Sequence, residues 1–232
     1  MKIQTEDLTR TFHVGTSEIS AVKDVTMEIN RPEFIAIVGR SGSGKSTFLN
    51  LIGLNDTPTS GKIRIDGTET KLLSGSERRT IRRTKMGFIF QTFNLFPTLS
   101  AQENVELPLS LRGKPQEEQH QKASKLLEIV GLLDRINHRP KQLSMGEMQR
   151  VAIARALANS PEIIIADEHT GELDSKTAEE IITLLQRINE SEKTTVVVAT
   201  HDEKIVEAAD TVYTMQDGKL EGPRTLARAT IH

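Results

Sequence analysis

Residues 34–47 read FIAIVGRSGSGKST. An apolar run of β type, Phe34, Ile35, Ile37 and Val38, enters a glycine-rich loop, Gly39 to Gly44, that closes on Lys45, Ser46 and Thr47. The spacing is G-x-x-x-x-G-K-[ST], the phosphate-binding P-loop. Gly39, Gly42 and Gly44 carry no Cβ, so the backbone can take strained dihedrals and turn its N–H groups towards a polyphosphate. The helix that follows adds its N-terminal partial positive charge, Lys45 reaches the β- and γ-phosphates, and Ser46 offers a hydroxyl oxygen to Mg²⁺. A glycine-rich turn with a chance lysine is the plain alternative. The buried-type strand before the loop and the apolar helix start after it (Phe48, Leu49, Leu51, Ile52) favour the P-loop. The stretch predicts a protein that binds a nucleoside triphosphate.

Upstream, residues 1–33 predict short antiparallel strands with one turn near Gly15, covering the front of the P-loop strand. GKIRIDG, Gly61 to Gly67, is another alternating strand that fits the same small sheet. Phe12 is an exposed-looking aromatic in this region. Downstream, Ser76 to Lys85 is strongly basic and predicts a solvated helix, and Met86 to Pro97 is β-rich and apolar around one polar residue, Gln91. Ser100-Ala-Gln-Glu103 fits a capping box, so a helix starts there, interrupted near Pro108 and Gly113. Lys114 to Ile136 predicts an amphipathic helix ending near Gly131. Residues about 92–142 therefore form a helical insertion between β-rich pieces.

The second half alternates helix 146–159, strand Ile163–Ala166, helix 175–190, strand Thr195–Ala199, helix 203–208 and strand Thr211–Met215, with a polar tail. Such alternation predicts a parallel sheet with right-handed crossovers. The fold class is α/β: a P-loop core with a parallel sheet, an antiparallel β subdomain and an inserted α-helical subdomain, all within one domain spanning 1–232.

Composition narrows the setting. Thirty basic residues against 32 acidic ones argue against a protein that coats nucleic acid or an anionic membrane. With no cysteine, neither a disulfide framework nor a thiolate metal site exists. The N-terminus lacks a signal-peptide layout, and no apolar run approaches the ~18–20 residues of a membrane span. Any membrane role must come through a partner.

Ligands of an open parallel sheet sit beyond the carboxyl ends of its strands. Asp167-Glu168 follow IIIA, and Thr200-His201-Asp202 follow VVVA. Adjacent carboxylates beside a triphosphate repel one another unless a divalent ion intervenes. Asp167 is accordingly a candidate Mg²⁺ ligand and Glu168 a candidate base for the attacking water, a helix N-cap being the alternative. His201 is a candidate γ-phosphate contact. Ser144-x-x-Glu147 opens LSMGEMQRVAIARAL as a capping box, yet a serine hydroxyl and a glycine N–H at a helix start also form an anion site. Because the P-loop holds this chain's own phosphates, a second anion site suits another subunit's nucleotide.

The ordered set GRSGSGKST, Gln91 in FIFQTFNLFP, LSMGEMQRVAIARAL, IIIADEHTGELD and ATHDEKI resembles the ATP-binding cassette of ABC transporters over residues 1–220. FNLFPTLSAQENVELPL and ADEHTGELDSKT are most similar to the branch serving lipoprotein release, macrolide export and antimicrobial-peptide resistance. The resemblance implies that Phe12 stacks on adenine and that Gly39, Arg40, Ser41, Gly42, Ser43, Gly44, Lys45, Ser46 and Thr47 hold the phosphates. It implies Ser46 and Gln91 beside Mg²⁺, with Ser144 and Gly146 reaching the γ-phosphate of an opposing subunit. It further implies Glu168 as base, His201 as γ-phosphate sensor, and Asp174 in the loop linking the two sites. Two copies would sandwich two ATP molecules as a homodimer. The segment Phe93 to Leu99 would dock on an integral membrane permease, placing the chain on the cytoplasmic face of the membrane, with no nucleic-acid partner.

Chromosome-maintenance and repair ATPases share these motifs but need a long coiled coil or zinc-binding cysteines between P-loop and signature, and residues 48–142 show neither. A translation factor would carry two cassettes, and a P-loop kinase would lack Leu143–Arg150. Three positions depart from the family pattern. Met145 replaces the usual first glycine of the signature, His169 a proline, and Glu172 a small or amide residue, all bearing on hydrolysis rate and dimer affinity. At Glu147, the capping-box geometry lets the carboxylate turn back to the Ser144 N–H.

Overall fold

The computed structural model describes residues 1–15, 17–167 and 174–226. The chain opens with β1 (Ile3–Val14) and β2 (Ser17–Ile29), a long antiparallel hairpin. β3 (Phe34–Val38) leads through the P-loop into α1 (Lys45–Ile52), and β4 (Ser60–Ile65) and β5 (Thr68–Glu69) return to the hairpin, giving the order β2-β1-β4-β5. Then come α2 (Gly75–Lys85), β6 (Met86–Ile89), α3 (Ala101–Leu111), α4 (Gln116–Ile129) and α5 (Met145–Leu157). The chain continues with β7 (Ile163–Asp167), α6 (Ser175–Glu192), β8 (Thr195–Thr200), α7 (Glu203–Ala208), β9 (Thr211–Gln216) and β10 (Lys219–Thr225).

The second sheet runs β10-β9-β3-β8-β7-β6, parallel except for β10, which pairs antiparallel with β9. Its central strands are buried on both faces, as parallel strands under helices must be. Alternate residues serve different cores. Phe34, Ala36, Ile164, Ala166, Val196 and Val198 face α5 and α6, whereas Ile35, Ile37, Ile163, Ile165 and Val197 face α1 and the antiparallel sheet. This period-2 sorting fixes the register, because a one-residue slip would exchange the two cores.

Four local expectations need correction. The first strands run 12 and 13 residues rather than short, and they do so by breaking register three times along the hairpin. Only Met86–Ile89 of the apolar 86–97 stretch is strand. Pro108 lies inside α3, which runs unbroken to Leu111, and the chain turns instead at Gly113 with φ +78°. Packing of α3 on α4 and α5 outweighs the one backbone bond that proline removes. The polar tail holds β10, joined to β9 by the two-residue turn Asp217-Gly218, both at positive φ.

Between P-loop and signature the longest helix is α4, with 14 residues, so the described chain there forms no extended coiled coil. Among the described residues, no helix is long and apolar enough to cross a membrane.

Candidate active site

The P-loop hangs between β3 and α1. Gly44 caps α1 at φ +107°, and a Cβ there would collide with the Ala21 carbonyl of β2. Only glycine meets both demands. The amide of Gly218 donates to the Ser43 carbonyl at 3.0 Å, and the Ser43 amide to that of Arg40 at 3.1 Å, so the loop is braced by the β9–β10 turn, whose Gly218 carbonyl accepts in turn from the Lys23 amide of β2 at 2.8 Å. Lys45 Nζ donates to the carbonyls of Gly39 at 2.7 Å and Arg40 at 3.0 Å. Burial pushes the Lys45 pKa down, against the opposing pull of the Asp167 carboxylate.

This loop fits a polyphosphate on its own geometry. No side chain caps the N-terminus of α1, which leaves the amides of Lys45, Ser46 and Thr47 for a ligand. By contrast, α2, α3 and α5 close theirs with capping boxes, and α6 and α7 with aspartates, while α4 starts behind Pro115 without a side-chain cap. The Ser43 hydroxyl is buried within the loop and has no partner.

The sheet order brings the other polar strand ends beside it. β8 lies next to β3 and pairs Thr200 with Val38; β7 lies next to β8 and pairs Asp167 with Ala199; β6 lies next to β7, with Gln91 just past its end. Lys45, Ser46, Asp167, His201 and Gln91 thus share one edge. Among the described residues no cluster of three or more His, Cys, Asp or Glu could hold a metal ion. One carboxylate, a hydroxyl and an amide are a donor set for a hard cation that takes its remaining oxygens from phosphate and water. Glu168, His169 and Glu172 lie outside the described residues.

Ser144 and Gly146 stand apart from this edge, at the start of α5. The capping box closes as the sequence suggests: Glu147 accepts from the Ser144 amide at 2.8 Å, and Ser144 Oγ accepts from the Glu147 amide at 3.2 Å. Arg135 holds the same carboxylate at 3.2 Å. The Ser144 amide and then Arg135 keep the Glu147 carboxyl below the usual glutamate range. Gly146 is buried against Thr177 at the start of α6, where Asp174 caps the helix through the amides of Lys176 and Thr177. Phe12 projects from β1, 37% exposed, with the Arg10 guanidinium over its ring.

The segment Phe93 to Leu99 divides in two. Leu95 packs on the core, whereas Phe96 is 50% exposed beside a groove of about 800 Å³. Three groups to which the sequence assigned no such part shape this groove. Asn104, fully buried, accepts from the Phe96 amide and donates to the carbonyls of Phe96, Leu99 and Ser100. Arg155 of α5 donates to the carbonyls of Phe93 and Asn94, two non-glycine residues at φ +58° and +48°. Burial pushes the Arg155 pKa down. Arg79, Arg82 and Arg83 of α2 form the opposite wall, and among the described residues no carboxylate pairs with any of them. The basic run was legible, but its part in a groove was not.

Comparison with known proteins accords with this arrangement. The family model described as ABC transporter matches residues 22–171. An ABC transporter ATP-binding protein of Methanocaldococcus jannaschii, MJ0796, is 49% identical over 223 residues, 94% of this chain and 95% of that protein. The macrolide export ATP-binding/permease protein MacB of Brucella melitensis is 45% identical over 218 residues, 94% of this chain but 34% of its own length. A dimeric post-hydrolysis structure of the MJ0796 cassette, bound to ADP and Pi, superposes with a TM-score of 0.90 at 45% identity, covering 97% of this chain and 99% of that one.

Proposed function

The chain belongs to the ABC transporter family, and on that premise we propose that it is the ATPase subunit of an export or mechanotransmission complex, working as one catalytic unit with a helical insertion. The observation that carries the reading is the single edge holding the uncapped α1, Asp167 and the end of β8, with a second, capped anion site displaced onto α5.

ATP is the substrate. Phe12 offers a face to adenine, and Lys45 with the loop amides neutralises the phosphates. A Mg²⁺ held by Ser46, Asp167 and Gln91 would offset charge developing on the phosphate oxygens. Glu168 takes the proton from the attacking water, and His201 contacts the γ-phosphate. Ser144 Oγ accepts from the Glu147 amide, and its own O–H, turned here towards the Glu147 carboxylate, would rotate to donate outward. That donor serves the γ-phosphate of an opposing copy, and two chains close as a homodimer over two ATP.

A permease subunit docks in the groove beside Phe96, which would hold the chain peripherally at the cytoplasmic face of the membrane. An apolar floor of Phe88, Phe90 and Leu107 beside arginines that no described carboxylate neutralises suits an amphipathic segment carrying carboxylates.

The test is Glu168→Gln. It should retain ATP binding, lose turnover by ~10²–10⁴, the range for a general base, and accumulate as a dimer in light scattering with ATP and Mg²⁺. A variant that stays monomeric while hydrolysing ATP at the normal rate would overturn the reading.

A further inference from the structure

Arg10 is used by none of the steps above, yet its side chain joins the proposed adenine platform to the helix that follows the P-loop. Its guanidinium carbon lies 4.5 Å from the centroid of the Phe12 ring. Its Nε donates to Asp56 Oδ2 at 2.8 Å, both side chains being about three-quarters buried. Asp56 is in turn held by α1, since its amide and that of Asn55 donate to the Asn50 carbonyl at 3.1 and 2.8 Å. Arg10 therefore connects an aromatic ring on β1 with the far end of the helix whose start carries the P-loop.

The chemistry of Phe12 makes this connection matter. Phenylalanine has no hydroxyl to fix its ring by a hydrogen bond, and this ring is partly in solvent opposite Ile19, which is 54% exposed. A planar guanidinium over one face restrains the ring through its quadrupole and leaves the other face for a base. The ion pair to Asp56 fixes the guanidinium.

We infer that Arg10 is a positioning residue for the nucleobase: it orients Phe12 and holds the base seat at a set distance from the phosphate seat. The inference rests on the reading of Phe12 as the adenine platform. It separates ligands by chemistry, because ATP needs both seats whereas inorganic tripolyphosphate needs only one.

Both ligands are titrated against the isolated chain by calorimetry. Arg10→Ala should weaken ATP by about threefold to tenfold, the scale of a partly exposed cation–π contact with its ion pair. Tripolyphosphate affinity should not change. Phe12→Ala should weaken ATP at least as much, and the double variant no further, because the two residues act as one unit. Arg10→Lys, which keeps the charge but not the plane, should fall between wild type and Arg10→Ala, and covers the case that Arg10→Ala does not fold. Normal ATP affinity in Phe12→Ala would remove the platform reading itself. A loss in Phe12→Ala with none in either Arg10 variant would leave the platform and overturn the inference. Equal loss of ATP and tripolyphosphate in Arg10→Ala, or additive losses in the double variant, would also overturn it.

Discussion

The Cγ2 of Thr177 lies 2.5 Å from where a Cβ on Gly146 would stand. The absent side chain of this glycine is thus claimed by a methyl group of the same chain. Thr177 cannot turn aside freely, because its hydroxyl donates to Asp174 Oδ2 at 2.5 Å. Gly146→Ala should cost about 1–3 kcal/mol through overpacking. Thr177→Ser removes the methyl and keeps the hydroxyl, so the double variant should recover most of that loss in chemical denaturation. No recovery would mean that the crowding lies elsewhere.

Glu147 should leave a pH signature. Its carboxyl is held low by the Ser144 amide and Arg135, so its contribution to stability is complete above the ordinary value of 4.5 and is lost as pH falls through the depressed folded value. Glutamine can keep the capping hydrogen bond but not the charge. The difference in melting temperature between wild type and Glu147→Gln should be widest near neutrality and shrink below pH 4.5. A gap that is constant across this range would exclude the charge as its source.

The groove predicts a split between partner coupling and chemistry. Phe96→Glu and Arg83→Glu alter exposed side chains remote from the P-loop, and should leave ATPase of the isolated chain within about twofold, as surface changes do. In the complex with a co-expressed permease, both should lose transport. Leu95→Glu should fail differently, lowering the stability of the isolated chain by a few kcal/mol because it buries a charge against the core. Loss of isolated ATPase in Phe96→Glu would place that residue in the catalytic unit instead.

Met145 is 40% exposed on the first turn of α5, beside the proposed site for an opposing γ-phosphate. A flexible side chain there should weaken ATP-driven dimerisation by ~1–2 kcal/mol, the scale of strain in a packed site. In a Glu168→Gln background, Met145→Gly should therefore tighten the dimer about tenfold by sedimentation. An unchanged or weaker dimer would show that Met145 is accommodated without strain.

What the sequence disclosed was local or periodic. The P-loop spacing, the capping boxes at Ser100 and Ser144, and the buried β runs each place their determinants within a few residues, and all are found where expected. The hairpin of β9 and β10 was not read, although Asp-Gly is a strong two-residue turn signal, because the polar composition of β10 concealed it. Pro108 misled because a helix packed on two others can absorb a proline. Arg155 and Arg10 were beyond reach for a different reason. They meet Asn94 and Asp56, respectively 61 and 46 residues away in sequence, and nothing near either arginine marks the distant partner.

The Asp217-Gly218 turn looks from outside like a convenient graft point, a tight surface hairpin remote in sequence from the P-loop. Only Asp217 faces solvent, however. Gly218 is buried, accepts from the Lys23 amide and supports Ser43 through its own amide, so one residue ties both sheets to the P-loop. A reporter or affinity tag spliced into this turn would be felt by the nucleotide. The same tag at the exposed turn of Gly67, where glycine has open space around it, would not.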